Sequence, residues 1–285
     1  MIRRHFHRGL DRQLVAACAL SASMLSASML SAQGPPIDSV KKAKQPLFTI
    51  TDAAIAVGFV GLTYALYPAD KSMAERLQQQ NKVATKTIDR LATGFDYATL
   101  PGVLIASAGT YAWGRIAKQP TVADFGWHTT EAVLLGMTVS GIVKGLAGRS
   151  RPFVTADTNP RDWKFGAGIT SDARSSFPSG HTTIAFAAAS AATSEINRLW
   201  PKYSWAWGTA LYASAGMVGL ARMYHNQHWA SDVVVGAGIG TLTGLKTVRY
   251  SHLHPDNFLD RMLLHTTATP APGGGGALSW SASFR

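Results

Sequence analysis

The sequence predicts an all-α protein, a helical bundle of about six core helices with its active site at one end. Six apolar stretches of helical length, rich in Ala, Gly, Leu and Val, follow one another between residues 47 and 250. They are too long for ordinary strands, and most end in Pro, Gly or a cluster of charges. The residues with chemical character gather at the borders of four of these stretches, which an up-and-down bundle brings to one end.

Composition narrows the options further. Hydrophobic residues make up 46% of the 285 and charged residues 15%, enough to bury a core and to exclude wholesale disorder. The net charge of +11 invites anionic partners, but the basic residues are scattered and no nucleic-acid-reading module is visible, so a phosphorylated substrate fits better than nucleic acid. Cys18 is the one cysteine, which excludes a disulfide framework, a Cys-rich zinc site and a thiol nucleophile.

The chain opens with Arg3, Arg4, Arg8 and Arg12, then the apolar run LVAACALSASMLSASML and small residues at Ser31-Ala32. This pattern predicts an export signal over residues 1–32 and a destination in the periplasm or cell envelope. Its removal takes away four Arg and Asp11 and lowers the net charge to +8. A polar linker, Gln33–Pro46, follows.

The apolar stretches are Leu47–Tyr67, Tyr97–Ile116, His128–Ala147, Thr182–Leu199, Trp205–Met223 and Ala230–Tyr250. Asp70–Arg90 reads as a solvated helix, and residues 33–96 as linker and N-terminal helices ahead of a catalytic domain at 97–250. Arg149–Phe177, with Pro152, Pro160 and Gly166, is a loop long enough to be functional. Residues 251–285 form a tail: HPDNFLDRMLLH as a short helix, TPAPGGGG as a flexible linker, and ALSWSASFR as an edge strand. His128 and Glu131 read as capping or surface pairing, His252 and His254 as solvated, and Trp205 and Trp207 as core or rim.

Each stretch is barely the roughly 20 residues that a membrane crossing needs, and several carry polar residues such as Asp52, Ser140 and Glu195. Mean hydropathy is only +0.04. If residues 1–32 are exported and removed, three crossings would bring the start of the fourth stretch to the cytoplasmic side. The sequence therefore favours a globular, membrane-associated domain on the outer side, with an integral bundle as the alternative.

Three segments converge on phosphate. In KGLAGRSRP, Lys144 and Arg151 lie seven apart, two helical turns, and Pro152 stops the helix; a point charge and a planar fork suit phosphate oxygens. In SSFPSGHTT, Ser179 and Gly180 open an Ala-rich helix whose free N–H groups can cradle an oxyanion. His181 stands at its mouth, where it can protonate a departing oxygen. In ARMYHNQHWASD, Arg222 adds a third cation, and His228 and Asp232 are four apart. A carboxylate on one imidazole nitrogen would fix the tautomer and free the other nitrogen to attack. His225 and His228 also have metal-ligand spacing, but three cations beside a metal argue against one.

The series Lys144…Arg151-Pro152, Pro178-Ser179-Gly180-His181 and Arg222…His228…Asp232 resembles the tripartite signature of the type 2 phosphatidic acid phosphatase and vanadium haloperoxidase superfamily, over about residues 128–250. The resemblance implies a helical bundle in which His228 becomes a phosphohistidine and His181 is the general acid. It implies that Lys144, Arg151, Ser179, Gly180 and Arg222 hold the phosphate, with no metal or other cofactor. Ala221 stands where that family usually has Ser; the lost hydroxyl removes one supporting hydrogen bond, about 1 kcal/mol, and no reacting group. The expected activity is hydrolysis of a lipid phosphate, an isoprenoid pyrophosphate or a soluble phosphoester. The alternatives are a haloperoxidase with vanadate in the phosphate position and a non-catalytic anion-binding envelope protein.

Overall fold

The computed structural model describes residues 46–81, 86–154, 159–264, 266–271 and 275–280. Residues 1–45, with the expected export segment and most of the linker, lie outside them. The six apolar stretches form α1 (Ile50–Leu66), α4 (Val103–Ile116), α5 (Pro120–Ala147), α6 (Gly180–Leu199), α7 (Ser204–Tyr224) and α8 (Ala230–Leu253). The charged stretch between the first two is split into α2 (Asp70–Asn81) and α3 (Lys86–Tyr97). It is not wholly solvated as expected, because Asp70 is completely buried. A short α9 (Phe258–Leu263) follows α8. Within the tail, β1 (Thr266–Ala271) pairs antiparallel with β2 (Gly275–Trp280). The segment read as a flexible linker thus supplies the second half of β1 and the first two residues of β2.

Local chemistry sets the helix borders. Thr49 caps α1, its N–H donating to Asp52 Oδ2 at 2.6 Å while Asp52 N–H approaches Thr49 Oγ1. Pro120 opens α5 where its missing N–H costs nothing, and Gly148 ends it at φ 61°, a left-handed conformation suited to glycine.

The core is built around α6, which is buried along most of its length. Ala185, Phe186 and Ala189 pack with Tyr212, Ala215 and Val218 of α7 and with Ala237 of α8. Val133 of α5 joins Ile184 and Ala187. Helix α8 lies close on α6 because Gly236, Gly240 and Gly244 face it: a Cβ there would collide with Ser179 O, Thr183 O or Ala187 O. Among the glycines of α5, Gly136 meets Thr183 and Ala187 of α6, whereas nothing approaches Gly141.

The outside of the bundle carries many apolar side chains. Ile50, Val57, Val60 and Tyr64 of α1, Ile105 and Trp113 of α4, and Leu134, Leu135 and Ile142 of α5 are exposed. Trp205 and Trp207, expected in the core or its rim, are exposed too. Ile50–Gln79 and Pro120–Ala147 are long and apolar enough to cross a membrane by length and composition. Surfaces of this kind meet lipid or a partner.

Candidate active site

The end of α5, the loop after it, the start of α6, the end of α7 and the start of α8 come together at one end of the bundle. The two cations of the first segment meet there by a different route from the one expected. Helix α5 ends at Ala147, so Lys144 and Arg151 do not share a helix face; the loop carries Arg151 back. Both converge on one residue: Lys144 Nζ donates to Ser175 O at 2.5 Å and Arg151 Nη2 to Ser175 Oγ at 2.9 Å. Arg151 is further held by Asp172 Oδ1 at 2.6 Å and by Gln227 Oε1. Arg222, in the last turn of α7, pairs with Asp96 of α3 at 2.7 Å.

His228 precedes α8 and is 3% exposed. Its Nδ1 lies 2.6 Å from the carbonyl oxygen of Ser176 and 3.9 Å from Asp232 Oδ2. The expected direct His–Asp pair is therefore replaced by a backbone acceptor. Asp232 is one step removed: its Oδ2 accepts from Ser176 Oγ at 2.5 Å and from Trp229 N–H at 3.0 Å, and its Oδ1 pairs with Arg149. The reason is sequence spacing. His228 sits before the helix begins, so a four-residue separation does not stack the two side chains over one turn. With Nδ1–H donated to Ser176 O, the neutral ring keeps its lone pair on Nε2.

Burial and the positive charges of Lys144, Arg222 and Arg151 hold the His228 imidazole well below its ordinary pKa. The same three cations act on His181, the second residue of α6, which is half-buried. Both imidazoles thus lie within electrostatic reach of the same three cations. Arg222 Nε is buried and makes no hydrogen bond, a donor left for an anion to meet. Ser179 caps α6, with Oγ 2.8 Å from Thr182 Oγ1 and its N–H donating to the backbone oxygen of Asp232 at 3.1 Å. A Cβ on Gly180 would stand 3.9 Å from Lys144 Cε, which sets the first turn of α6 beside that ammonium.

Several residues of this end were not singled out from the sequence. Arg149, completely buried, donates to Asp70 Oδ2 at 2.8 Å, Asp232 Oδ1 at 2.5 Å and Ser231 Oγ at 2.7 Å. Its guanidinium lies 4.8–5.3 Å from the ring centres of Trp163, Tyr67 and Trp229. Arg149 stands two residues before Arg151, and a second Arg beside one expected to hold phosphate was a visible signal. Asp96 gave none, since nothing local marks a carboxylate more than a hundred residues from Arg222. His225 takes Asp96 Oδ2 at 2.9 Å on its Nδ1, so it turns toward α3 and does not form a metal pair with His228.

Residues 125–255, the stretch that carries every one of the site's expected residues, match the PAP2 superfamily. The matched segment belongs to that superfamily. The PAP2 segment has a curated relative in the lipid A 1-phosphatase of Porphyromonas gingivalis, 44% identical over 72 residues, a quarter of this chain and 15% of the relative's length. Among solved structures, the transmembrane PAP2-type phosphatidylglycerolphosphate phosphatase of Bacillus subtilis superposes with a TM-score of 0.52 at 17% identity, covering 70% of this chain and 96% of its own. That likeness establishes the fold. Aquifex aeolicus LpxE aligns over 62% of this chain and 94% of its own, with 24% identity and a TM-score of 0.44.

Proposed function

We propose that the protein is a phosphatase that hydrolyses a lipid phosphate through a phosphohistidine on His228. The observation that carries this reading is the lone pair of a buried, tautomer-fixed imidazole set in the field of three cations. An approaching phosphate dianion would repel a nucleophile in water; Lys144, Arg151 and Arg222 cancel that repulsion and stabilise charge on the equatorial oxygens in the transition state. Nε2 of His228 forms the bond to phosphorus as the bond to the alcohol oxygen breaks. His181 gives its proton to that oxygen and then, as a base, takes one from the water that splits the P–N bond, releasing inorganic phosphate. Side-chain cations supply the charge neutralisation that a metal would otherwise bring, so the reaction calls for no cofactor. Asp232 and Arg149 act as positioning residues, holding Ser176 so that its carbonyl fixes Nδ1 of His228.

The exposed apolar faces of α1, α4 and α5 support a substrate with an acyl tail, and the name of the Porphyromonas relative points the same way. The test is a panel of lipid phosphates and water-soluble phosphoesters. We expect phosphate release from the lipids, and a loss of at least about 1,000-fold in His228→Ala, as for other covalent nucleophiles. Full activity of a purified His228→Ala protein, or vanadate-dependent bromide oxidation in place of phosphate release, would overturn the reading.

The same faces favour the integral arrangement over the peripheral one, and the proposal sets α1 and α4–α8 in the bilayer of the cell envelope. Three crossings then precede the site end, so its face depends on residues 1–32. In a Cys18→Ser background, Thr170→Cys, in the exposed loop of that end, should be shielded from an impermeant thiol reagent in intact cells if residues 1–32 export the start of the chain. Labelling from outside would show that they do not.

A further inference from the structure

The opposite end of the bundle holds a second cluster that phosphate chemistry does not use. His128 near the start of α5, Glu195 near the end of α6 and His252 near the end of α8 meet there. Glu195 Oε1 lies 2.6 Å from His128 Nδ1 and 2.8 Å from His252 Nε2, and the two rings meet edge to face at 5.1 Å. His128 and Glu195, expected from sequence to be a cap and an incidental polar residue, are 2% and 3% exposed, and His252 is largely covered. Asp260, on α9, folds over them, fixed by Trp127 Nε1–H at 2.9 Å and Asn257 Nδ2–H at 2.6 Å. Glu131 and Asp124 add carboxylates within electrostatic reach, and Arg198 approaches Glu195 Oε2 at 4.0 Å.

We propose that this end is a structural site for one divalent transition-metal ion, best matched by Zn²⁺, with His128, Glu195 and His252 as ligands and Asp260 orienting His128. Two imidazole nitrogens and one carboxylate oxygen are a donor set suited to Zn²⁺, and water can supply a fourth. The three ligand atoms lie within 4.8 Å of one another, so an ion can bridge them with small shifts.

A second observation points to the ion. His128 Nε2 is buried, makes no hydrogen bond, and faces Asp260 Oδ2 at 3.7 Å. With Nδ1–H given to Glu195, a neutral ring would aim its Nε2 lone pair at a carboxylate, so the ring either holds a second proton or yields Nδ1 to a metal cation. When an ion takes Nδ1, the ring proton resides on Nε2 and points at Asp260. That is the carboxylate–histidine–metal arrangement that orients ligands in metal sites. It also offsets the negative charge of carboxylates buried together.

The test uses the full chain in detergent, without a polyhistidine tag, dialysed against chelator and titrated with Zn²⁺ against a chromogenic competitor. The expected result is one ion per chain, with Co²⁺ in its place giving visible absorption bands. Asp260→Asn should weaken binding by roughly 10–100-fold, the usual effect of losing an orienting carboxylate. His252→Ala should weaken it further, and His254→Ala, an exposed neighbour, should bind as the wild type does. Wild-type protein that takes up no Zn²⁺, or His252→Ala binding Zn²⁺ as tightly as wild type, would overturn the proposal. If His252→Ala fails to fold, the wild-type stoichiometry and the Asp260→Asn titration decide it.

Discussion

The two ends of this bundle are built from the same helices with opposite chemistry. At one end α5, α6, α7 and α8 present Lys144, Arg222, His181 and His228, with Arg151 returned by the loop; at the other, α5, α6 and α8 present His128, Glu195 and His252 under Asp260. Both centre on buried imidazoles. At the first end burial and cations favour the neutral form of His228, which in the proposed mechanism leaves a lone pair to act; at the second the neighbours are carboxylates that fix the ring. A histidine's role in a helical bundle is thus decided by the sign of what surrounds it and not by its burial.

The largest effect should come from breaking the ionic core beneath the site. Arg149→Ala leaves Asp70 and Asp232 buried without their partner, which should cost about 3–5 kcal/mol of stability and abolish activity, read by thermal unfolding in detergent beside turnover. At the far end Glu195→Ala removes the acceptor for two imidazoles, about 1.5–3 kcal/mol for each hydrogen bond to a charged group. Its pH–activity profile should keep the wild-type shape. If that profile moves, the two ends are not chemically separate.

A smaller effect sharpens the comparison from the site end. In the proposed mechanism His228 acts as the neutral ring, and burial and three cations depress its pKa. Activity should therefore persist as the pH falls through the ordinary imidazole value near 6.5 and fail only below it. Arg151→Ala removes one of the depressing charges, so the acid limb of its pH–rate profile should move upward, toward 6.5, on top of a lower rate. An unmoved limb would mean that Arg151 does not act on His228.

The helices were legible because each is a long apolar run with a clear border, and the site was legible because its residues sit in three short segments. What escaped was whatever depends on the third dimension. The spacing of His228 and Asp232 suggested a direct pair, but helix α8 begins after His228 and the backbone of Ser176 intervenes. Asp70, in a run of charged residues, looked solvated and is buried on Arg149. His128 and His252 looked peripheral because no local pattern shows that two helix ends and α9 close over them.

Asp70 has one more consequence. It lies outside residues 125–255, yet it accepts from Arg149 and from both the N–H and the hydroxyl of Ser231, so the floor of the site is completed by α2. A fragment trimmed to the recognised family segment would carry every reacting group and still expose a guanidinium cut off from half its counter-charge. Shortening the gene to that segment should give an insoluble product, and grafting the segment elsewhere should require bringing Asp70 along.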